Sequence, residues 1–310
     1  MKKQLINSLA IFSFAHLLVG YIEAKQPKII GLVPARNESR FLKQCLKSLA
    51  LYTDAIVYLD DASEDNSVEI VESLAKECRV EGIIKKTVWH RDEPGDRNAL
   101  LNMGRQLGGT HFIVLDADEM ISANCLRNNM LKNAILNLKP GERLMLPWLD
   151  LWRGVNFYRN DDSVYNINHY HLFIFCDDGH CSYASDFIHT TRVPSYGTIY
   201  KMPNSYVVLH FGYINWRNLL IKMAWYRCME HIRLPNKSIQ AINDGYKHCV
   251  DETGLRLSPV LPEWLTGYDF FDSAIEHAPE VWRERQVKEW FAEYGKEFFS
   301  ELDIWNIDWN

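Results

Sequence analysis

The stretch His111-Phe112-Ile113-Val114-Leu115-Asp116-Ala117-Asp118-Glu119 decides the fold. Residues 111–115 form a short continuous apolar run, the pattern of a strand buried on both faces of a parallel sheet. Acidic residues follow it directly. In open α/β sheets, ligands bind beyond the carboxyl ends of the strands, so carboxylates at that point mark a candidate site. Side chains alternate along an extended segment, so Asp116 and Asp118 fall on one side and can share a hard divalent cation, leaving positions for phosphate oxygens. A solvated acidic loop has the same composition; the buried strand before it favours the metal.

Upstream, short β-branched runs alternate with helical patterns, the signature of a parallel sheet covered by helices. Strands are expected over residues 28–33, 55–59 and 83–89. Phe41, Leu42, Cys45, Leu46 and Leu49 recur at helical spacing, Asn66 with Glu69 has the form of a capping box, and a third helix is expected over 96–107. Downstream the pattern predicts a helix over 122–138, a strand over 143–152 and amphipathic helices over 216–232 and 280–302. Residues 152–203, rich in Tyr, His, Asp and Asn, read as an acceptor-site insertion rather than another βαβ unit. The fold class is therefore α/β: a mostly parallel central sheet flanked by helices, with a helical C-terminal extension.

A chain of 310 residues with 47% hydrophobic content can bury a full core. Its net charge of -6 supplies no basic face to displace counterions, which excludes nucleic acid as a partner. Lys2 and Lys3 precede an apolar run over 5–22 that ends near Ala24, the order of a secretory signal. Residues 1–26 therefore read as a cleaved signal or as an uncleaved anchor, with a buried N-terminal helix as the bland alternative. A signal implies an exported or luminal domain; an anchor implies membrane association, with a cytoplasmic-facing domain open to it. The seven cysteines lack CxxC spacing and read as free thiols, although Cys176 and Cys181 could pair in an oxidising compartment. His169, His171, Cys176, His180 and Cys181 match no standard zinc spacing.

Two further loops carry polar residues where strands end: Val33-Pro34-Ala35-Arg36-Asn37-Glu38 and Leu59-Asp60-Asp61-Ala62-Ser63-Glu64. Together with Asp116-Ala117-Asp118, in this order, they resemble the family 2 glycosyltransferases, which have the A-type glycosyltransferase, nucleotide-diphospho-sugar transferase fold. The resemblance covers about residues 28–235. It implies a catalytic domain over 27–235, with a nucleotide-sugar half at 27–150 and an acceptor half at 151–235, and an extension over 236–310.

By this resemblance Pro34, Ala35, Arg36 and Glu38 lie along the nucleoside, Asp61 contacts base or ribose with Asp60 as its helper, and Asp116 faces the donor. Arg97, with Asn98 beside it, matches a stretch that faces the nucleotide; a surface ion pair is the other reading of Arg97. No G-x-G-x-x-G follows the first strand, which argues against a dinucleotide enzyme, and the missing glycine loop also disfavours a sugar nucleotidyltransferase. The segments 183–189 and 207–213, with Lys222 and Trp225-Tyr226, resemble a subset that modifies lipopolysaccharide core. In that subset a Glu stands where this chain has Thr190, so the base that deprotonates the acceptor must be another carboxylate: Asp186 first, with Asp177 and Asp178 behind it. Asp118 would hold Mn or Mg, and His189 or His210 is a further ligand or a structural histidine. Trp148, Trp152, Tyr158, Tyr165 and Tyr170 offer faces for sugar stacking or for the core. The expected partners are a nucleotide-diphospho-sugar donor and a glycan, lipid-linked or protein acceptor. A catalytically inactive module binding carbohydrate or nucleotide sugar on the same fold is the alternative.

Overall fold

The computed structural model describes residues 26–184, 191–194, 196–277, 279 and 281–309. The N-terminal segment and its expected signal or anchor lie outside them, as do Asp186, His189 and Thr190. Among the described residues no helix is long and apolar enough to cross a membrane.

The chain opens with β1 (Ile29–Ala35), α1 (Ser39–Ala50), β2 (Ala55–Asp60), α2 (Ser67–Cys78), β3 (Val80–Lys85), α3 (Glu93–Gln106) and β4 (His111–Val114). β2 and β4 are buried at every position, as continuous apolar runs require. The predicted stripe of α1 holds, with Phe41, Leu42, Cys45, Leu46 and Leu49 all buried. The expected capping box does not form: Asn66 makes no side-chain cap bond, and Asp65 accepts from the Ser67 N–H at 2.9 Å instead. The third strand lies earlier than expected because its apolar residues begin at Val80, directly after the left-handed Arg79 that closes α2.

After Asp118 the chain turns into β5 (Glu119–Ile121), then a 3-10 turn over Ala123–Asn129 and α4 (Met130–Leu136) where one helix was expected. β6 (Arg143–Asp150), β7 (Phe157–Arg159), β8 (Tyr170–Cys176), β9 (Ile199–Lys201) and β10 (Val208–His210) complete the sheet region, and α5 (Trp216–Arg233), α6 (Ile239–Lys247), β11 (Leu257–Pro259) and α7 (Trp282–Tyr294) follow. The last helix stops well short of residue 302 because Gly295 takes φ 82°, a left-handed conformation that ends it.

The main sheet runs β3-β2-β1-β4-β8-β6-β10-β5, with β9 paired to β6. Residues 152–203 are thus no mere insertion: β8 sits in mid-sheet, antiparallel to both β4 and β6. That double reversal makes β6 parallel to β4, so β1, β2, β4, β6 and β10 all present their carboxyl ends at one edge. β5 returns antiparallel to β10.

Close approach of α1 to the sheet depends on Gly31. A Cβ there would stand 2.5 Å from Leu49 Cδ2 and 2.8 Å from Cγ, and Leu49 is fully buried. Gly31→Ala is therefore expected to lower stability by about 1–3 kcal/mol through overpacking. Urea unfolding measures it; an unchanged midpoint and slope would show that α1 has room to shift.

Candidate active site

β1 ends at Ala35 in register with Asp60, the last residue of β2, and the loops beyond are tied together. Asn37 adopts φ 54°, which Asn tolerates better than most residues. Its Oδ1 accepts from the Glu64 N–H at 2.6 Å and the Asp65 N–H at 3.3 Å. Arg36 donates Nη1 to the carbonyls of Asp61 (2.7 Å) and Ala62, and Nη2 to Glu64 at 3.1 Å. Lys86 pairs with Asp61 at 2.6 Å and Asp96 at 2.9 Å.

The acidic motif sits within a row of charges that the sheet register assembles. His210 pairs with Asp150 across β10 and β6 and with Glu119 across β10 and β5. His210 Nδ1 lies 2.5 Å from Asp150 Oδ1, and Nε2 lies 3.3 Å from Asp118 Oδ2. Lys222, on α5, stands 3.4 Å from the same Asp118 oxygen. Glu119 accepts from the Asp116 N–H at 2.8 Å and from Arg192, whose other nitrogen reaches Asp116 Oδ2 at 3.0 Å. Burial opposes charge on Asp118 and His210, and their partners overcome it: Lys222, His210 and Arg192 hold Asp118 well below the usual carboxylate range, and Asp118 and Asp150 hold His210 up to about 10. At Glu119 burial prevails over Arg192 and raises its pKa to about 7.

Pro34, Ala35, Arg36, Glu38, Asp61, Arg97, Asp116 and Asp118 line one cleft of about 710 Å³, together with Trp148, Arg192, Lys222 and Trp282. Arg97 is buried there with Nε and Nη1 lacking hydrogen-bond partners among the described residues, and its Nη2 lies 3.5 Å from Asp116 Oδ1. The surface ion-pair reading of Arg97 is excluded by that burial.

Several expectations are corrected. Asp60 is engaged inside the fold, accepting from the Tyr58 hydroxyl at 3.1 Å and the Ser63 N–H at 2.9 Å, and is not among the cleft-lining residues. Asn98 clamps Tyr183, donating to its carbonyl at 3.1 Å and accepting from its N–H at 2.9 Å, rather than facing the cleft. Asp177 is held by Arg105 at 2.8 and 2.7 Å, and Asp178 accepts from the N–H groups of His180 and Cys181, so neither is placed to act as base. Asp177, Asp178 and Cys181 do cluster, but without histidine. All seven cysteines are free. Trp152, Tyr158 and Tyr165 belong to the core, whereas Trp148 and Tyr170 line the cleft.

Asp150, Arg192 and Trp282 were not singled out as site residues by the sequence. Asp150 had a signal: it ends a strand, but the expected strand ran two residues past it. Arg192 follows no motif.

Asp118 and His210 offer an oxygen and a nitrogen to a divalent cation, which would take the place of the proton that His210 shares with Asp118. Asp118 Oδ2 and His210 Nε2 face each other, and the imidazole's other nitrogen is fixed by a buried carboxylate, the arrangement that orients metal-ligating histidines. Asp116 faces the same cleft but is engaged by Arg97 and Arg192.

Residues 32–132 match the model of Glycosyl transferase family 2. The matched stretch runs from β1 into α4 and holds all three motifs. The SPbeta prophage-derived glycosyltransferase SunS of Bacillus subtilis (strain 168) is 23% identical over 261 residues, which span 84% of this chain and 52% of that protein. The chain spans about half the length of the curated relatives it matches. Among solved structures, the mannosyltransferase PcManGT from Pyrobaculum calidifontis, in complex with GDP-Man and Mn2+, is 15% identical with a TM-score of 0.43, covering 90% of this chain and 84% of that one. S. aureus TarS 1-349 in complex with UDP is 14% identical with a TM-score of 0.41, covering 73% of each chain.

Arg192→Met leaves Glu119, fully buried, without its guanidinium and is expected to destabilise by about 3–5 kcal/mol. Pairing it with Glu119→Gln should recover part of that loss in the same denaturation experiment. Equal stability of Arg192→Met and the wild type would mean that Glu119 finds another partner.

Proposed function

We propose that the chain transfers a sugar from a nucleotide-diphospho-sugar donor to an acceptor hydroxyl, with inversion and with a divalent cation, Mn or Mg. The observation that carries this reading is convergence: side chains after β1, β2 and β4, far apart in sequence, line one cleft in which Arg97 Nε and Nη1 lack partners among the described residues. A buried guanidinium is unfavourable until its donors are satisfied, and its fork matches phosphate oxygens. Pro34, Ala35 and Asp61 then bound the nucleoside, and Arg97 and Lys222 face the diphosphate. Asp118 and His210 would hold the cation, which supplies charge neutralisation to the leaving diphosphate.

Preorganised cations in a water-poor cleft stabilise the departing nucleoside diphosphate, so the chain's own contribution is mainly electrostatic. Asp186 is the proposed base; Thr191, five residues on, lines the cleft. His189 stays a proposed ligand on the same segment. The acceptor, a glycan, lipid or protein hydroxyl, would approach along Trp148 and Tyr170, whose rings give apolar surface. Residues 1–26 are proposed to direct export or to anchor the domain at a membrane.

Transfer and donor hydrolysis measured over a panel of nucleotide sugars, with and without Mn2+ or Mg2+, test the reading. Turnover with at least one donor is expected, falling about 100-fold or more in Asp118→Ala. Asp150→Asn, which unfixes His210, should weaken Mn2+ binding about 10- to 100-fold by calorimetry. Donor binding without turnover would leave an inactive binding module on this fold; turnover indifferent to Asp118→Ala would make the acidic motif a bystander.

A further inference from the structure

The family 2 segment ends at residue 132, yet one wall of the cleft comes from far beyond it. α7 packs on α5 through indoles: Trp225 lies 5.3 Å from Trp282 and 6.1 Å from Trp290. The first residues of α7, Trp282 and Arg283, line the cleft beside Arg36 and Trp89, whereas Trp290 does not. The Arg36 guanidinium lies 5.0 Å from the Trp89 ring and 5.3 Å from the Trp282 ring. Its Nη groups already donate to Asp61, Ala62 and Glu64, while its Nε is buried with no hydrogen-bond partner among the described residues. The same holds for Trp282, whose Nε1 is buried with no hydrogen-bond partner among the described residues. A buried indole N–H normally has an acceptor, and one in a cleft wall is set to receive it from a ligand.

We propose that Trp282 is a donor-binding residue, stacking with Arg36 and Trp89 against the nucleobase and donating its Nε1–H to a base or ribose oxygen. This rests on the nucleotide-sugar reading above. The base is the part of the donor that fits: the indoles are planar and π-rich and lie where the β1 and β2 loops meet, in the cleft that Arg97 and Asp118 also line. The helical extension is then part of the donor site.

The test is calorimetric binding of uridine, guanosine, cytidine, adenosine and thymidine diphosphates, with Mn2+ present, to the wild type and to Trp282→Ala, Trp282→Phe and Trp290→Ala, each checked by thermal melting. Trp282→Ala should weaken the preferred nucleotide about 10- to 100-fold, the range that base stacking on an aromatic ring supplies. Trp282→Phe, which keeps a ring and loses the N–H, should fall between. Trp290→Ala loosens the same helix without touching the cleft and should stay within about twofold of the wild type. Wild-type affinity in Trp282→Ala, or an equal loss in Trp290→Ala, overturns the role of Trp282 while leaving the donor reading in place. Failure of the wild type to bind any of these nucleotides overturns both.

Discussion

The cleft depends on a set of alternating charges, part of it buried. Asp116, Asp118, Glu119 and Asp150 are interleaved with Arg97, Arg192, Lys222 and His210. Any one of these taken alone into a protein interior would cost several kcal/mol, and what makes the set tolerable is that each member is paired. Pairing on this scale demands accurate placement, and the sheet supplies it. Glu119, His210 and Asp150 are neighbours by strand register, so their spacing follows from backbone geometry rather than from loop conformation.

Much of this was legible in the sequence, for identifiable reasons. The strand at 111–114 and the helix of Phe41 to Leu49 are read correctly because burial imposes a period that few other arrangements share. The residues after β1, β2 and β4 are found because parallel sheets place chemistry at strand ends. The misses have equally physical causes. β8 pairs in the middle of the sheet, but its flanks are polar and its pairing is long-range, so the local pattern resembles an insertion. Asp60 and Asp61 are adjacent and chemically alike, and only the turn geometry decides that the first faces inward to Tyr58 while the second faces the cleft. Arg192 gains its meaning from Glu119 and Asp116, more than seventy residues away, so no local signal announces it.

The same contacts connect the two halves of the cleft. Arg192 stacks over Trp148 and Phe173 while holding Asp116 and Glu119, so the segment carrying Thr191 is fastened to the acidic motif rather than to a wall of its own. Movement there and the orientation of Asp116 are mechanically linked. Lys222 does the same from the helical side through Asp118. The loops after β1, β2 and β4, the segment at Thr191 and the helical side thus meet at the charged row.

The contact between Glu38 and Arg283 joins residues 245 positions apart. A growing chain emerges from the ribosome N-terminus first, and its early strands can pair long before that arginine is made. The cleft, however, lacks a wall until α7 has been synthesised and has settled on α5. Until α7 is in place the polypeptide therefore carries the acidic motif and its loops without the enclosure that gives them their electrostatic environment.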